Sequence, residues 1–469
     1  MTSKLLINAK WLDFAVFAIA LLICARFSFP LLEPEESRYA ELPRQMLETG
    51  SWIVPTLDGQ PYLDKPPLHY WLVAMSYQLF GVSIATARIV PTVVAAMTIW
   101  LVYRWGRSAV GMGAGIVSAV ILATMPDFLY RAPMLTMNGL LAAATTAALV
   151  TGFQAISRER FQWKWWLISA CCCGIGVLTK GPIAVALVVG PLFVCPLLDR
   201  RLRKANLLSL VTFSGIVVAV SGPWFIAVAL REPDFLEYFF WKHHVERVVN
   251  PFDHAKPWWY YLPQVFLGTL PWTLLLFATA WAWLRRQSIP ASVPFGLMAG
   301  VIGLTLFSIS GSKRPVYLLP IYPPIAVAAG NYLWSVMTRS NGRALGMGQV
   351  GWTRCLLFVS VAIIAGNFAF LPEYHRRFSV GPMLEEIEKS DRVYAVPFTS
   401  PAASFAMRRV VPWVSLEELV TLSPPAFGER VVVVVLPRYA DRAREFLNGP
   451  EWQTVENSEV VVFIHSGGR

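Results

Sequence analysis

Apolar stretches about as long as a bilayer is thick recur through this chain, and nothing else constrains its fold as strongly. A helix needs roughly 20 apolar residues to cross the hydrocarbon core. Runs of that kind lie near 12–32, 84–104, 109–126, 134–156, 164–179, 181–198, 206–230, 259–284, 291–310, 315–337 and 352–371. They predict a mainly α, polytopic membrane protein with about eleven transmembrane helices. Only 15% of the 469 residues are charged, against about a quarter in a soluble domain. The first run follows Lys4 and Lys10, lacks a small-x-small cleavage site and exceeds a signal-peptide core, so it reads as a retained span.

The loops fix an orientation. Arg104 and Arg107 follow the second span, Arg158, Arg160 and Lys164 the fourth, and Arg200, Arg201, Arg203 and Lys204 the sixth. Arg285 and Arg286 follow the eighth, and Arg339, Arg343 and Arg354 the tenth. Every alternate loop is short and basic, which predicts an N-in topology and, for an odd span count, a C-out one. The same distribution explains the net charge of +11 without nucleic acid as a partner. All six cysteines lie in apolar spans, with no zinc-type spacing and no disulfide framework.

Two predicted outer loops, 33–83 and 231–258, are much longer than the inner connections, and long loops in compact proteins carry function. In the first, Pro34, the acids after it and Thr49-Gly50 frame a short helix that Pro43 should kink. Leu68 to Phe80 is apolar but too short to span, and reads as lying along the interface. These elements fall in a membrane domain over 1–371. Residues 372–469 read as a small extracytoplasmic α/β module. Its expected strands are Arg392 to Phe398, Arg430 to Pro437 and Val460 to His465; its expected helices are Ser415 to Leu422 and Tyr439 to Leu447.

Charges near a membrane plane need a reason, and cations on the outer side oppose the positive-inside bias. Arg38, Lys65, Lys180, Arg247, Lys313 and Arg314 all fall there, beside Glu33, Glu35, Glu36, Glu41, Asp64, His243, His244 and Glu246. One shared anion accounts for them, and phosphate suits the charge-assisted donors of Lys and Arg. Each feature also has a plainer reading. Glu35 and Arg38 share a helical face, as an ordinary ion pair or as a carboxylate base beside a phosphate-binding arginine. Asp64-Lys65 before Pro66-Pro67 is a snorkelling lysine or a preorganised binding turn. Adjacent His243 and His244 point about 100° apart on a helix, so one at most joins a metal site with Asp64 or Glu36. Lys180, and Lys313-Arg314 in the Ser312–Tyr317 turn, anchor spans or bind a ligand. The Trp258–Tyr261 aromatics belong to the interfacial belt or line a sugar site.

Glu33 to Glu41 (EPEESRYAE), with Met46, Leu47 and Gly50 behind it, resembles the first outer loop of the ArnT-like branch of the protein O-mannosyltransferase superfamily. Pro61 to Trp71 (PYLDKPPLHYW) resembles that family's next signature. The likeness continues in order through Gly176–Pro182, Pro223–Phe225, His244 with Arg247, Pro257–Tyr261, Pro271-Trp272 and Ser312–Pro320, over about residues 12–340. It implies a GT-C fold in the inner or plasma membrane. Such a protein moves a sugar from a polyprenyl-phosphate donor to a lipid, glycan or protein acceptor, on the extracytoplasmic face. By motif, Glu35 stands for the usual first-loop Asp and Glu36 for the Glu beside it, as catalytic candidates. Arg38 and Lys65 match positions near the carrier phosphate, with Lys180, Arg247 and Lys313 as further phosphate binders and Tyr39, Tyr62 and Tyr317 as substrate contacts. Asp64 with His244 is the implied metal pair for a divalent zinc or magnesium ion, which the motifs do not require. Two departures stand out: Glu for Asp at 35, and Asn138 where relatives carry Asp. A transporter would want inverted repeats and mid-membrane polar breaks, neither of which is visible. A non-catalytic carrier-lipid-binding protein is the other reading.

Overall fold

The computed structural model describes residues 2–32, 35–239, 241, 254–339, 349–378, 386–396, 400–415, 417–418, 429–435, 437–447, 449, 451–456 and 461–465. Within these residues, every apolar run identified above carries a helix. They are Thr2–Cys24, Ile84–Ala109, Met112–Ala123, Met137–Ile156, Trp163–Lys180, Ile183–Leu198, Leu207–Ala229, Ser292–Ile309, Tyr322–Arg339 and Gln349–Phe378, and the broken pair Tyr261–Gly268 and Thr273–Leu284. Six are long and apolar enough to cross a membrane by themselves, or seven if the broken pair, bent by 111°, counts as one span. The chain is therefore a multi-pass membrane protein. Leu207, Leu274 and Phe358 stay more than 70% exposed, as suits helix faces turned to lipid.

Two segments differ from expectation for local reasons. The first helix stops at Cys24 rather than continuing to 32. Pro30 pushes the residue before it out of helical geometry, and Phe29 N–H closes a turn on the Arg26 carbonyl at 3.1 Å instead. The run near 259–284 breaks at Pro271, which has no N–H to continue the ladder. There the Thr273 hydroxyl donates to the Phe266 carbonyl (2.7 Å), and Trp272 Nε1 donates to Thr124 Oγ1 (2.9 Å).

Contacts divide the chain into two compact units. The first comprises Met1–Ala25, Leu63–His69 and Pro91–Asn367. Its helices approach closely at glycines. A Cβ on Gly330 would sit 2.6 Å from the Ser118 backbone, and one on Gly296 would sit 2.3 Å from the Pro324 carbonyl oxygen. Such approaches replace the hydrophobic drive that helices lack in lipid with van der Waals packing.

The second unit comprises Arg26–Tyr62, Tyr70–Val90 and Phe368–Arg469. It holds the expected loop helix, Glu35–Thr49, with Pro43 inside it. A hairpin follows, Thr56–Leu57 against Gln60–Pro61, turned by Asp58 and Gly59 at φ 53° and 77°. An Asp-Gly pair with both residues left-handed is a favoured two-residue hairpin turn. The C-terminal part is a four-stranded mixed sheet. Arg392–Ala395 lies parallel to Val431–Val435, which pairs antiparallel with Val461–His465, which pairs antiparallel with Trp452–Glu456. All five valines of Val431–Val435 are buried, as an unbroken apolar run in a covered strand should be. The expected helix near 439–447 is Pro437–Phe446, with Pro at its first position. Most of the expected helix at 415–422 lies outside the described residues. Two elements were not anticipated. Trp452–Glu456 is an edge strand with four exposed residues, and Ser400–Met407 is a short helix that packs on the loop helix.

Candidate active site

The loop helix begins with Glu35 and Glu36 in its first turn, where the helix dipole favours negative charge. Glu35 and Arg38 are half-buried. Glu36 is fully buried and fully occupied. Its Oε1 and Oε2 accept from both terminal nitrogens of Arg88 at 2.9 and 2.8 Å, and Oε2 also accepts the Leu32 N–H at 2.8 Å. Arg88 in turn donates to the Phe29 and Pro30 carbonyls. One turn further on, Arg44 holds Glu41 with two 2.7 Å bonds, Glu48 with one of 2.8 Å, and the Arg408 carbonyl with one of 3.0 Å. Burial raises the Glu41 pKa, and Arg44 opposes that shift. The acidic face of this helix is thus largely an internal brace. Tyr39 stacks on Tyr70 (6.0 Å, 27°), and Tyr62 meets the same ring edge-on (6.4 Å, 78°).

The first unit carries the other site residues. Asp64 Oδ1 accepts the Tyr238 hydroxyl at 2.8 Å, and Lys65 Nζ donates to the Asp64 carbonyl at 2.8 Å. Burial, then the Asp64 charge, raises the Tyr238 phenol. Lys180, at the end of its helix, donates to Asn138 Oδ1 at 2.6 Å and lies 3.9 Å from the centre of the Tyr317 ring. Lys313 follows the Ser292–Ile309 helix and is pinned by a short backbone pairing. Its N–H donates to the His254 carbonyl at 3.0 Å, and the Lys256 N–H to the Gly311 carbonyl at 3.3 Å. Only 3% of Lys313 is exposed. Its ammonium donates to the main-chain carbonyls of Lys256 (3.1 Å) and Ser310, and burial lowers its pKa. Arg314 sits beside Tyr261, whose hydroxyl accepts its N–H at 3.1 Å. Lys180, Tyr317, Lys313, Arg314 and Tyr261 therefore converge at one end of this unit's helices.

The sequence reading missed three sets of residues. Arg88 was findable, as a lone arginine in an apolar span. Asp127 accepts from Arg131 (2.6 Å), four residues on, and from the Tyr322 hydroxyl (2.8 Å), which no local pattern announces. His69 is buried, and burial pulls its pKa down to about 4. Arg247, His243, His244 and Glu246 lie outside the described residues, so only the Asp64 half of the metal pair is described. Among the described residues no group of three His, Cys, Asp or Glu side chains gathers to hold an ion.

Comparison with known proteins bears on this geometry. Residues 64–226 match the family model described as dolichyl-phosphate-mannose-protein mannosyltransferase. An undecaprenyl phosphate-alpha-4-amino-4-deoxy-L-arabinose arabinosyl transferase of Pseudomonas fluorescens is 28% identical over 422 residues, covering 86% of this chain and 69% of its own. Its counterpart from Pseudomonas savastanoi is 32% identical over 338 residues, covering 71% and 62%. Across eight such relatives, this chain spans 55% to 69% of their length. The crystal structure of ArnT from Cupriavidus metallidurans bound to undecaprenyl phosphate superposes with a TM-score of 0.74 at 20% identity, over 97% of this chain and 98% of that one. The oligosaccharyltransferase AglB of Archaeoglobus fulgidus follows at 0.57 and 12% identity, over 92% and 70%. The fold is that of the GT-C membrane glycosyltransferases. Within that class, sequence and fold together are consistent with the ArnT-like branch of the protein mannosyltransferase superfamily.

Proposed function

We propose that this protein transfers a sugar from a polyprenyl-phosphate-linked donor to an envelope acceptor, whether lipid A, another glycan or a protein. The observation that carries the reading is Lys313. It is a buried ammonium held by two carbonyls, with no carboxylate beside it among the described residues. A buried charge without a counter-charge is costly, and a ligand phosphate supplies one. Two of the three ammonium donors are engaged, which leaves one for a phosphate oxygen. The named activity of the curated relatives, an undecaprenyl phosphate-linked arabinosyl transfer, agrees in donor class. Orientation belongs to the same proposal: eleven spans, N-terminus inside, and the Lys180–Lys313 end and the module of 372–469 extracytoplasmic.

In the reaction, an acceptor oxygen attacks the anomeric carbon while the bond to the carrier phosphate breaks, and the phosphate keeps the electron pair. Charge grows on that leaving oxygen, so cations fixed nearby stabilise the transition state more than the ground state. Lys65, Lys180, Lys313 and Arg38 are assigned that task, with Arg247. Glu35 takes the acceptor proton, or orients an acceptor already ionised. Glu36, sealed against Arg88, is assigned to hold the loop helix rather than to touch substrate. Tyr62 and Tyr317 are the proposed sugar contacts, and Tyr39 supports Tyr62 through Tyr70. A zinc or magnesium ion at Asp64 and His244 would add charge at the donor phosphate.

The test is transfer of radiolabelled sugar from polyprenyl-phosphate donors in membranes carrying the full chain, beside Lys65→Ala and Glu35→Gln. Labelled product lost in both variants supports the enzyme. Donor binding without product from any donor would make the protein a carrier-lipid-binding protein instead.

A further inference from the structure

A second cavity, of about 490 Å³, lies wholly within the first unit, and none of the site residues above line it. Asp199, Arg201, Trp283, Arg286, Phe295 and Met298 are among its walls. Its position is set by two helices. Ile183–Leu198 starts beside Lys180 and reaches the cavity at Cys195 and Leu198, about 24 Å away at 1.5 Å per residue. Ser292–Ile309 leaves the cavity at Phe295 and ends beside Lys313. The cavity is therefore at the opposite end of the helices from the candidate active site.

Its chemistry is that of a headgroup seat. Arg201 holds Asp199 through two nitrogens and donates to the Ile289 carbonyl at 2.7 Å, so it clamps one basic loop to the other. Arg339 braces the same turn at the Ser288 carbonyl. Arg286 is exposed and makes no side-chain hydrogen bond or ion pair among the described residues. Its backbone is unusual: φ is 53°, left-handed, just past the Thr273–Leu284 helix. Glycine normally fills that place because a side chain there is strained. A strained arginine at the mouth of a cavity, without a side-chain partner among the described residues, points to a ligand. Leu198 in the cavity wall is 64% exposed, and Leu197 and Leu284, each next in sequence to a wall residue, are 65% and 71% exposed, offering an apolar surface to acyl chains.

We infer that this cavity binds the phosphate headgroup of an anionic membrane phospholipid, with Arg286 as its principal cation. Basic pockets between transmembrane helices recognise such headgroups. Free phosphate shares the charge but has no use for the leucine rim. The inference stands on the membrane fold and not on the transfer reaction, so either can fail alone.

The experiment is native mass spectrometry of the full chain, titrated in detergent with phosphatidylglycerol, with phosphatidylcholine and with inorganic phosphate. Arg286→Gly and Arg286→Lys are run alongside, with melting temperatures. The expected result is preferential retention of phosphatidylglycerol, weakened about fivefold in Arg286→Gly and largely kept in Arg286→Lys. Arg286→Gly should melt no lower than the parent, because glycine relieves the left-handed strain. The inference is overturned by equal binding of the two lipids, by an unchanged affinity in Arg286→Gly, or by a lower melting temperature in that variant. Displacement of the lipid by millimolar phosphate would also overturn it, naming a soluble anion as the ligand.

Discussion

The loop helix and the Lys313 turn both bury charge, and they handle it in opposite ways. On the helix each buried carboxylate is answered by an arginine: Glu36 by Arg88, and Glu41 by Arg44. At the turn, Lys313 is just as buried, yet its described partners are carbonyl oxygens. A third solution is found at His69, which burial keeps neutral. Charges that are cancelled or discharged serve the fold. A charge kept and left uncancelled is available to a ligand, and this difference separates the structural residues of the first loop from the residue proposed to bind phosphate.

The largest effect should come from breaking a cancelled pair. Arg88→Met strands the Glu36 carboxylate and is expected to destabilise the protein by about 3–5 kcal/mol, read as a lowered melting temperature in detergent. Arg88→Met combined with Glu36→Leu should recover most of that loss, because no buried charge then remains. At Lys313 the comparison reverses sign. Lys313→Met removes an uncancelled buried charge, so melting should hold or rise while polyprenyl-phosphate affinity falls by about tenfold. A fall in both would make Lys313 another brace.

Titration sharpens the same contrast. His69 has a folded pKa near 4 against about 6.5 when unfolded, so between those values the unfolded chain takes up a proton that the folded chain refuses. Stability should therefore drop as pH falls from about 6.5 to about 4, and His69→Leu should flatten that slope. Lys313 works at the other end of the scale. Its lowered pKa means the ammonium is lost at a lower pH than in an ordinary lysine, so donor binding should fade early on the alkaline side. Lys313→Arg should push that limb upward. The smallest effect is expected at Asn138. Asn138→Asp would set a carboxylate 2.6 Å from the Lys180 ammonium, drawing on its charge and weakening donor binding a few-fold, about 1 kcal/mol.

Much of this was legible in the sequence, where the physics is local. Every apolar run became a helix because its length and composition leave no alternative in lipid. The Val431–Val435 strand and the Glu35–Thr49 helix were readable from an unbroken valine run and from a Pro-and-acid start. The edge strand Trp452–Glu456 was not, since four of its five residues face outward and carry no apolar alternation. In the site, spacing could nominate Glu35, Glu36, Lys180 and Lys313 but could not tell a brace from a binder. Glu36 is separated from Arg88 by 52 positions and Lys313 from Lys256 by 57, so their opposite circumstances exist only once the chain is folded.

The most direct measurement compares polyprenyl-phosphate binding and sugar transfer in two variants of the purified full chain, Lys313→Met and Glu35→Gln. The account predicts that Lys313→Met weakens donor binding about tenfold and transfer with it, while Glu35→Gln keeps binding and loses transfer. Full donor binding by a well-folded Lys313→Met would contradict it, because the uncancelled charge would then have no ligand to answer it.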